Sequence, residues 1–376
     1  MRALVTNAEA KHSLPVIRSL GEKGVEVVAA SHHRRALGFY SRYCRDHLIT
    51  PRAREGESYI RCLLRELEDR EIDVLIPVGG EVTESICYRK SRFTKYTRLA
   101  LPPDESMAIA SNKNRTIELA SNLGISTPAT YFPRSIEEVE KNAVGFRYPA
   151  VLKAAKGRGS VRYASSATEL VETYRELCRG NQGQISNGFL PQVQEYVPGG
   201  IRGYFALMNR GETVASFQHQ RIHQLPPSGG PSTMAMSIHD LELRELGSKV
   251  LSELGWHGVA MVEFKRDSRD GQLKLLEINP KFWGSLDLAV AAGVDFPYLL
   301  FRMCTGDEIP SAPSYRDGVV FKWLVPDLLH SVQSGCLSGY LSDLLNRSIQ
   351  TDLRTDDLRP SLIQLYRMFG GWKPSG

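Results

Sequence analysis

Cysteine is scarce in this sequence and never occurs in closely spaced pairs. Six cysteines are spread over 376 residues, and none forms a C-x-x-C motif: Cys44, Cys62, Cys87, Cys178, Cys304 and Cys336. Isolated cysteines argue against a zinc site and against a disulfide scaffold, and they suit a reducing compartment. The first residues also lead directly into an apolar strand, without the pattern of a signal peptide. We therefore expect a cytoplasmic protein.

Long apolar runs and strongly one-sided charge are missing as well. The longest apolar stretch, near residues 286–300, is interrupted by Asp287 and Asp295, so no transmembrane helix is expected. The formal net charge is only +5, and no dense basic run with interleaved aromatic residues occurs. These absences argue against a membrane association and against nucleic-acid binding. The length, with a hydrophobic content of 42%, fits a globular protein of two or three packed units.

Two acidic segments lie fourteen residues apart in apolar, strand-like runs. Glu277 and Asn279 are two residues apart, so they point to the same side of a strand, and Glu263 on a neighbouring strand of a hairpin would join them. A buried carboxylate pair needs a compensating cation, and oxygen ligands favour Mg²⁺, which keeps part of its shell for nucleotide phosphates. The alternative is an edge strand with solvent-facing acids.

Two upstream segments have features of nucleotide binding. Lys153 ends a short apolar strand and is followed by a loop containing Gly157, Gly159 and Ser160. Backbone N–H groups in such loops cradle phosphates, and a lysine adds a point charge, although a hairpin turn with scattered basic residues would look the same. Further on, a strand containing Gln194 runs into Pro198-Gly199-Gly200, which is either a plain hinge or an exposed edge for a purine. Neither the P-loop nor the dinucleotide-binding pattern occurs in the sequence.

This order of motifs resembles the ATP-grasp superfamily over about residues 1–305. The most specific part is Glu263 together with the run from Glu277 to Ser285. The chain looks most like the stand-alone carboxylate–amine ligases, relatives of D-alanine–D-alanine ligase and of the carbamoyl-phosphate synthase large subunit. The resemblance implies ATP and Mg²⁺, with Mn²⁺ as an alternative, as cofactors.

The resemblance also implies roles for individual residues. The ATP phosphates would be held by Lys113, Lys153, Gly157, Gly159 and Ser160. Gln194 would lie near the adenine amino group, with the Glu195 carbonyl and the Val197 amide forming the hinge bonds. The ligands of Mg²⁺ would be Glu263, Glu277 and Asn279.

The chain departs from the pattern of the superfamily at two places. At the adenine positions many relatives have Glu or Lys, where this chain has Gln194 and Glu195. Many relatives have an arginine after the Asn-Pro pair, near the transferred phosphate, where this chain has Lys281. A lysine keeps the charge but loses the bidentate fork. Lys281 is therefore either catalytic or structural, and Arg221 is the candidate to take over the arginine's role.

The fold class expected from the pattern and the resemblance is α/β and α+β. Apolar strands alternate with amphipathic helices at the start of the chain, which predicts a parallel sheet. A small mobile lid and an antiparallel-sheet catalytic domain are expected to follow. The predicted units are an N-terminal domain at 1–104, a connecting helix at 105–124, the lid at 125–196, the catalytic subdomain at 197–308 and a C-terminal extension at 309–376.

Two loops are candidates for contact with substrates. The polar, Pro/Gly-rich segment from His219 to Ser232 is predicted to be a long loop that interrupts a hairpin, with Arg221, Gly229-Gly230 and Ser232 as substrate contacts. His223 and His219 are expected to be surface or packing residues rather than bases. The loop Val78-Gly79-Gly80-Glu81 follows a strand and either contacts a carboxylate substrate or is a plain strand-to-helix turn.

The expected function is an ATP-dependent ligase that joins a carboxylate to an amine through an acyl phosphate. The expected partners are ATP, a small-molecule carboxylate and an amine, and a homodimer is left open. One alternative is a carboxy- or carbamoyl-phosphate-forming enzyme that uses bicarbonate. Another is a non-catalytic ATP-binding protein, and a dinucleotide-binding oxidoreductase would fit only the first 100 residues. Because the sequence has no defensible Ser/His/Asp or Cys/His arrangement, no protein nucleophile is expected.

Overall fold

The computed structural model describes residues 1–155, 161–180, 190–309 and 314–367. The strands in these ranges are β1 Arg2–Val5, β2 Glu26–Ser31, β3 Cys44–Ile49, β4 Val74–Ile76, β5 Thr130–Tyr131, β6 Ala150–Lys153, β7 Val161–Ala164, β8 Gln192–Glu195, β9 Gly199–Asn209, β10 Glu212–Gln224, β11 Ser232–Ser237, β12 Gly258–Asp267, β13 Leu273–Asn279, β14 Val320–Lys322 and β15 Gln350–Thr351.

The α-helices in the same ranges are α1 Ser13–Glu22, α2 Glu57–Arg70, α3 Gly80–Cys87, α4 Lys90–Phe93, α5 Asp104–Ala110, α6 Lys113–Asn122, α7 Ile136–Asn142, α8 Ala167–Gly180, α9 Leu241–Glu253, α10 Leu286–Ala292, α11 Phe296–Thr305, α12 Leu324–Ser334, α13 Leu337–Leu345 and α14 Leu358–Tyr366. No single helix among the described residues has the length and apolarity needed to cross a membrane. Only the bent pair α10 and α11, which meet at 87°, passes that test jointly.

The N-terminal sheet has the order β3-β2-β1-β4, and its neighbouring strands are parallel. The central strand β1 is apolar and buried, as expected for a sheet covered on both faces. The predicted alternation of strands and helices is therefore confirmed. The polar edge strand β3 escaped prediction because three of its six residues are charged or histidine and exposed. Beyond β4, Arg98 forms an isolated bridge with Val74, and the prolines that follow remove backbone donors, so no further strand is added there.

The second sheet is small and antiparallel, with the order β5-β8-β6-β7. Its apolar side packs against α7 and α8 through residues such as Leu152, Leu170 and Tyr174. All four strands lie within the range predicted for the lid. Lys153 is the last residue of β6, so its side chain leaves this sheet at the strand's carboxyl end.

The third sheet is large, with the order β13-β12-β9-β10-β11-β14-β15. Strands β9 and β10 form a hairpin, and its turn contains Arg210 (φ 50°) and Gly211 (φ 92°), which matches the twist of the strands. The loop expected from His219 to Ser232 was too long. His219 to Gln224 continue strand β10, pairing with β11, and the connection covers only residues 225–231.

The large sheet buries both of its faces against different partners. On one side Tyr204 and Val262 pack against α9. On the other side Phe205, Phe217 and Met261 pack with the N-terminal domain and with α10 and α11. This split follows from the two-residue repeat of a strand, which sends Tyr204 and Phe205 to opposite faces. The second face leads directly to the acidic residues of β12 and β13.

The C-terminal part of the described chain contributes two strands to the large sheet. Strand β14 pairs with β11, and β15 pairs with β14. Strand β14 ends at Lys322 because the next residue, Trp323, is the N-cap residue of α12. A buried ion pair between Arg18 Nε and Asp357 Oδ2, 2.9 Å apart, fastens this segment to α1. The parallel sheet, the small sheet and the antiparallel sheet together confirm the expected α/β and α+β fold class.

Candidate active site

The three predicted metal ligands come together on one side of the large sheet. Glu263 on β12 and Glu277 on β13 are direct partners in the antiparallel register, so their side chains project from the same face. Asn279 lies two residues further along β13 and pairs with Met261. Its amide nitrogen donates to Glu277 Oε1 at 2.9 Å. Within the described ranges no three His, Cys, Asp or Glu side chains form a metal cluster, so this site offers two carboxylates and one amide.

Three cationic side chains surround this acid pair: Lys113, Lys153 and Arg221. Lys113 Nζ lies 3.4 Å from Glu277 Oε2, and Arg221 Nη2 donates to Glu263 Oε2 at 2.9 Å. Lys113 is the first residue of α6, whose N-cap is the side chain of Asn112. The Lys113 backbone N–H donates to the Ala155 carbonyl at 3.0 Å, which brings the start of α6 to the end of the Lys153 strand.

The electrostatics of the two glutamates differ although they face each other. Burial raises the pKa of Glu263, and Glu277 raises it further, against the opposing effect of Arg221 and Lys153. Burial also acts to raise the pKa of Glu277, but Lys113, the Asn279 amide and Lys153 together lower it to about 2. Glu277 is therefore the member of the pair that stays negatively charged, which makes it the fixed anion. Burial disfavours the charged form of Glu263.

Lys153 is almost completely buried and belongs to a hydrogen-bonded chain. Its Nζ donates to Gln194 Oε1 at 2.8 Å, and Gln194 Nε2 donates to Thr130 Oγ1 at 2.8 Å. Burial lowers the pKa of Lys153 to about 8, although the nearby Glu277 carboxylate acts to raise it. The Gln194 side chain thus orients Lys153, and its predicted position beside adenine stays a prediction.

The other predicted nucleotide contacts have separate surroundings. The Glu195 carboxylate accepts from the Ala129 N–H at 3.0 Å and from Arg269 at 3.2 Å, which ties the small sheet to the large one. Val197 is buried. The backbone bonds predicted for Glu195 and Val197 with adenine stay predictions. Gly157, Gly159 and Ser160 lie outside the described residues.

Arg221 is held in place by the loop that was predicted to contact substrate. Its Nε donates to Ser232 Oγ at 3.0 Å, and its Nη1 donates to the Gly230 carbonyl at 2.8 Å. The remaining Nη2 is the atom that binds Glu263. The predicted set of Arg221, Gly230 and Ser232 is therefore one connected unit, and it directs the guanidinium toward the acid pair.

Lys281 lies beside the N-terminal domain. Its side chain is 7% exposed, and its Nζ donates to the Phe282 carbonyl at 3.3 Å. A Cβ on Gly80 would lie 3.2 Å from Lys281 Cδ, so a residue without a side chain makes room for the lysine. This contact brings the loop of residues 78–81 next to the chain segment that follows Asn279.

Two histidine pairings were not found from the sequence. His219 is buried, its Nε2 lies 2.8 Å from Ser285 Oγ, and its ring stacks on Phe205. Burial, and then the Arg221 charge, lowers the pKa of His219 to about 3, so this histidine is neutral. The Nδ1 of His223 lies 2.9 Å from Asp327 Oδ1, on α12. Sequence spacing gave no hint of this pair because the partners are a hundred residues apart.

A parallel sheet, a small antiparallel sheet and a large antiparallel sheet whose facing strands carry an acid pair constitute the ATP-grasp fold. The fold is therefore the one that the resemblance predicted. The family model described as "ATP-grasp in the biosynthetic pathway with Ter operon" matches residues 209–325. Solved structures extend the similarity over most of the chain. A biotin carboxylase from Campylobacter jejuni, in complex with β-γ-ATP, has a TM-score of 0.69 at 18% identity, covering 85% of this chain and 74% of that one.

Other similar proteins differ in their named activities. An L-amino acid ligase from Bacillus licheniformis has a TM-score of 0.63 at 15% identity, covering 84% of this chain and 75% of that one. A formate-dependent phosphoribosylglycinamide formyltransferase from Rhodococcus jostii is 27% identical over 66% of this chain and 61% of the relative. The carbamoyl phosphate synthase large chain of Saccharolobus islandicus is 25% identical over 54% of this chain, but this match spans only 19% of that relative.

Proposed function

We propose that this chain is an ADP-forming ligase that uses ATP to join a carboxylate to an amine. The observation that carries the proposal is the facing pair Glu263 and Glu277, with Asn279 beside it and three cationic side chains around it. Such a set suits phosphoryl transfer, which depends on positioning and charge neutralisation. The similarity to an L-amino acid ligase supports this reaction class.

The oxygen atoms of Glu263, Glu277 and Asn279 suit a hard divalent cation, Mg²⁺ or Mn²⁺. The fit rests on Glu263, a buried carboxyl group whose pKa is raised by burial and by the facing Glu277. A divalent cation would relieve this conflict, since a bound ion inverts the local preference for protonation. When bound, Mg²⁺ supplies neutralisation of the charge on the ATP phosphates. Lys113 and Lys153 would bind those phosphates directly.

In the proposed reaction, a substrate carboxylate oxygen attacks the γ-phosphorus, and the bond to the ADP oxygen breaks. An acyl phosphate and ADP result. The ammonium group of the acceptor then loses one proton to solvent, and its nitrogen attacks the acyl carbon. The carbon–oxygen bond breaks, and hydrogen phosphate leaves with a second proton. The protein orients the reactants and excludes water rather than supplying a nucleophile, and Arg221 is the group that would hold the carboxylate.

Bicarbonate as the phosphoryl acceptor is the second candidate. It is favoured by similarity to a biotin carboxylase domain from Hydrogenobacter thermophilus in complex with MgADP and bicarbonate, with a TM-score of 0.67 at 18% identity. In that case the first product would be carboxy phosphate, and the same Glu263, Glu277 and Arg221 would act. The proposals differ in whether a second small molecule is needed for turnover.

A phosphate-release screen with MgATP tests both candidates. The purified chain is incubated with amino acids and small carboxylates, singly and in pairs, and with bicarbonate alone. Release that requires a carboxylate and an amine together is expected. Release with bicarbonate alone would support the second candidate. Absence of release throughout, while MgATP still binds, would contradict both and support a non-catalytic ATP-binding protein.

A further inference from the structure

The two helices that follow β14 present their apolar side chains to solvent. In α12, Asp327 and Ser331 are buried. Leu329 and Val332 of the same helix are 38% and 58% exposed, and in α13 the buried residue is Tyr340. A helix on the surface of a globular protein normally has the opposite arrangement, with its apolar stripe toward the core. The exposed apolar residues of the pair, which we call the apolar face, are Leu329, Val332, Leu337, Leu341, Leu344 and Leu345.

Polar contacts hold these helices to the large sheet. Lys322, the buried last residue of β14, binds Asp327 Oδ2 at 2.9 Å and Asp343 Oδ2 at 2.6 Å. The hydroxyl of Tyr340 donates to the Leu324 carbonyl at 3.2 Å. Because both aspartates bind the same lysine, the sides of α12 and α13 that carry them face the sheet, and the opposite sides face away from it. The apolar face therefore contributes little to the folding of one chain, since exposed side chains gain little from burial.

The apolar face is large for the surface of a single chain. Leu337, Leu341 and Leu344 have helical spacing, so they form one stripe along α13. The two helices contact each other and are joined by only Gly335 and Cys336, so the apolar residues of α12 adjoin this stripe. The six side chains, which are 38–84% exposed, present on the order of 600 Å² of apolar surface. This area is at the upper end for a monomer and approaches the roughly 800 Å² that each partner buries in a stable interface.

The apolar face also lacks charge. Residues 324–345 include no lysine, arginine or glutamate, and the two aspartates among them bind Lys322. A surface without charge can meet an identical surface without like-charge repulsion, which a symmetric contact between two copies requires. Gly339 of α13 is exposed, and a Cβ there would meet nothing within 4 Å, so a second helix can approach this side closely. The absence of basic residues argues against an anionic membrane as the partner.

We infer that the apolar face is the contact between two copies of this chain, related by a two-fold axis. In this dimer α12 and α13 of one protomer pack against α12 and α13 of its partner, and the leucines that one chain leaves exposed become buried. The contact is self-complementary, because both sides are apolar, uncharged and made of the same two helices. The inference is independent of the proposed ligase: a dimer that releases no phosphate, or a monomer that releases it, would separate the two.

Sedimentation velocity tests the inference on the full chain, with and without MgATP, at about 1 to 100 μM, the range expected for an interface of this size. The wild type is expected to pass from monomer to dimer. Leu341→Glu combined with Leu345→Glu should weaken dimerisation by about 100-fold or more, since each copy loses two apolar contacts and gains acids that face acids. Leu241→Glu is the matched control. This leucine of α9 is 67% exposed, comparable with the 61% of Leu341, and the variant should dimerise as the wild type does.

Gly339→Glu is the second variant. Because a Cβ at this position meets nothing within 4 Å and glutamate favours a helix over glycine, one chain loses no contact and gains helix propensity. Dimerisation should still weaken by about 10-fold or more. In urea unfolding of dilute, monomeric protein each variant should be as stable as the wild type, which separates loss of the contact from loss of the fold. A wild type that stays monomeric, or a dimer that survives both variants, would overturn the inference. A monomer that binds phosphatidylglycerol vesicles would also overturn it and assign the apolar face to a membrane.

Discussion

The strands β12 and β13 carry two charge clusters of similar composition but opposite character. At one end Glu263 and Glu277 face each other among Lys113, Lys153 and Arg221. At the other end Asp267 binds Arg269 at 2.6 Å and Lys274 at 2.9 Å, while Glu195 binds the same two cations. Hydrogen bonds from Arg269 hold the pKa of Asp267 well below its usual range, whereas burial raises the pKa of Glu263.

The difference shows what separates a structural cluster from a candidate site. Asp267 and Glu195 do not face each other on neighbouring strands, and they share Arg269 and Lys274, so that cluster fastens the small sheet to the large one. The acids at Glu263 and Glu277 are buried against each other, and burial still disfavours the charge of Glu263. Buried carboxylates that repel each other are typical of functional sites, where a bound ligand compensates their charge. The cluster around Asp267 should therefore control stability, and the cluster around Glu263 and Glu277 should control activity.

The largest effect is expected for Glu277→Gln. This change removes the fixed anion of the pair and with it a ligand of the divalent cation, so MgATP-dependent ADP formation should fall by about 10³-fold. ADP formation and the Mg²⁺ dependence of nucleotide binding are the measurements. Glu253→Gln, on the exposed side of α9, is the matched control and should keep wild-type turnover. Normal ADP formation by Glu277→Gln would mean that the metal assignment is wrong.

Asp357→Asn tests a buried acid whose carboxylate is already fully paired, where we expect a loss of stability and no loss of activity. Asp357 accepts from Arg18 Nε at 2.9 Å, from Ser41 Oγ at 2.8 Å and from the Arg42 N–H at 2.9 Å. Leaving Arg18 buried without its counter-ion should lower the free energy of unfolding by about 3–5 kcal/mol. Denaturant unfolding measures the loss, and the KM for ATP should not change. A variant that loses activity while remaining as stable as the wild type would contradict the division between the two kinds of cluster.

Arg221→Lys sharpens the comparison inside the candidate site. A lysine keeps one charge near Glu263 but cannot also bind the Gly230 carbonyl and Ser232, so kcat should fall by about 10-fold, with a smaller change in the KM for ATP. Steady-state kinetics with the substrates found in the screen measure this split. Arg210→Lys, in the hairpin turn of the same strands, is the control. Equal kinetics for both variants would show that the guanidinium fork has no role in turnover.

The sequence allowed prediction of the parts that depend on local pattern. The two-residue spacing of Glu277 and Asn279 predicted that both lie on one face of a strand. The expected hairpin predicted that Glu263, on the neighbouring strand, joins them. The partners of these residues depend on tertiary packing, which no local pattern encodes. Arg221 was expected in a loop, yet it lies in β10 because that strand continues as far as Gln224.

The same limit applies to the end of the chain. Asp357 and Asp327 bind residues more than a hundred positions earlier, so their spacing contained no signal of a contact. Segment 309–376 was expected to be an extension, but β14 is short and becomes a strand only by pairing with β11. Elements that are stabilised by partners far away in sequence are the ones that pattern reasoning misses.

Acid pH gives a smaller and directional test of the structural cluster. The pKa of Asp267 is lowered in the folded chain, so its contribution to stability is complete above the unfolded value of about 3.9 and is lost as pH falls through the folded pKa. The gap in the free energy of unfolding between wild type and Asp267→Asn should therefore be constant above about pH 5 and shrink as pH falls below about 4. Urea unfolding at a series of pH values measures the gap. A gap that does not depend on pH would show that the ion pairs of Asp267 are not what its carboxylate contributes.

The smallest effect is expected for Tyr163→Phe, which tests whether the small sheet communicates with Arg221. Tyr163 Oη, on β7, donates to the Ser228 carbonyl at 2.8 Å, and two residues later the Gly230 carbonyl accepts from Arg221. Removing one exposed hydrogen bond should reduce kcat/KM for ATP by about 2- to 10-fold and leave stability nearly unchanged. Tyr96→Phe, at another exposed tyrosine, is the matched control. If both variants keep wild-type kinetics, the contact does not influence the orientation of Arg221, which its bonds to Ser232, Gly230 and Glu263 then fix without it.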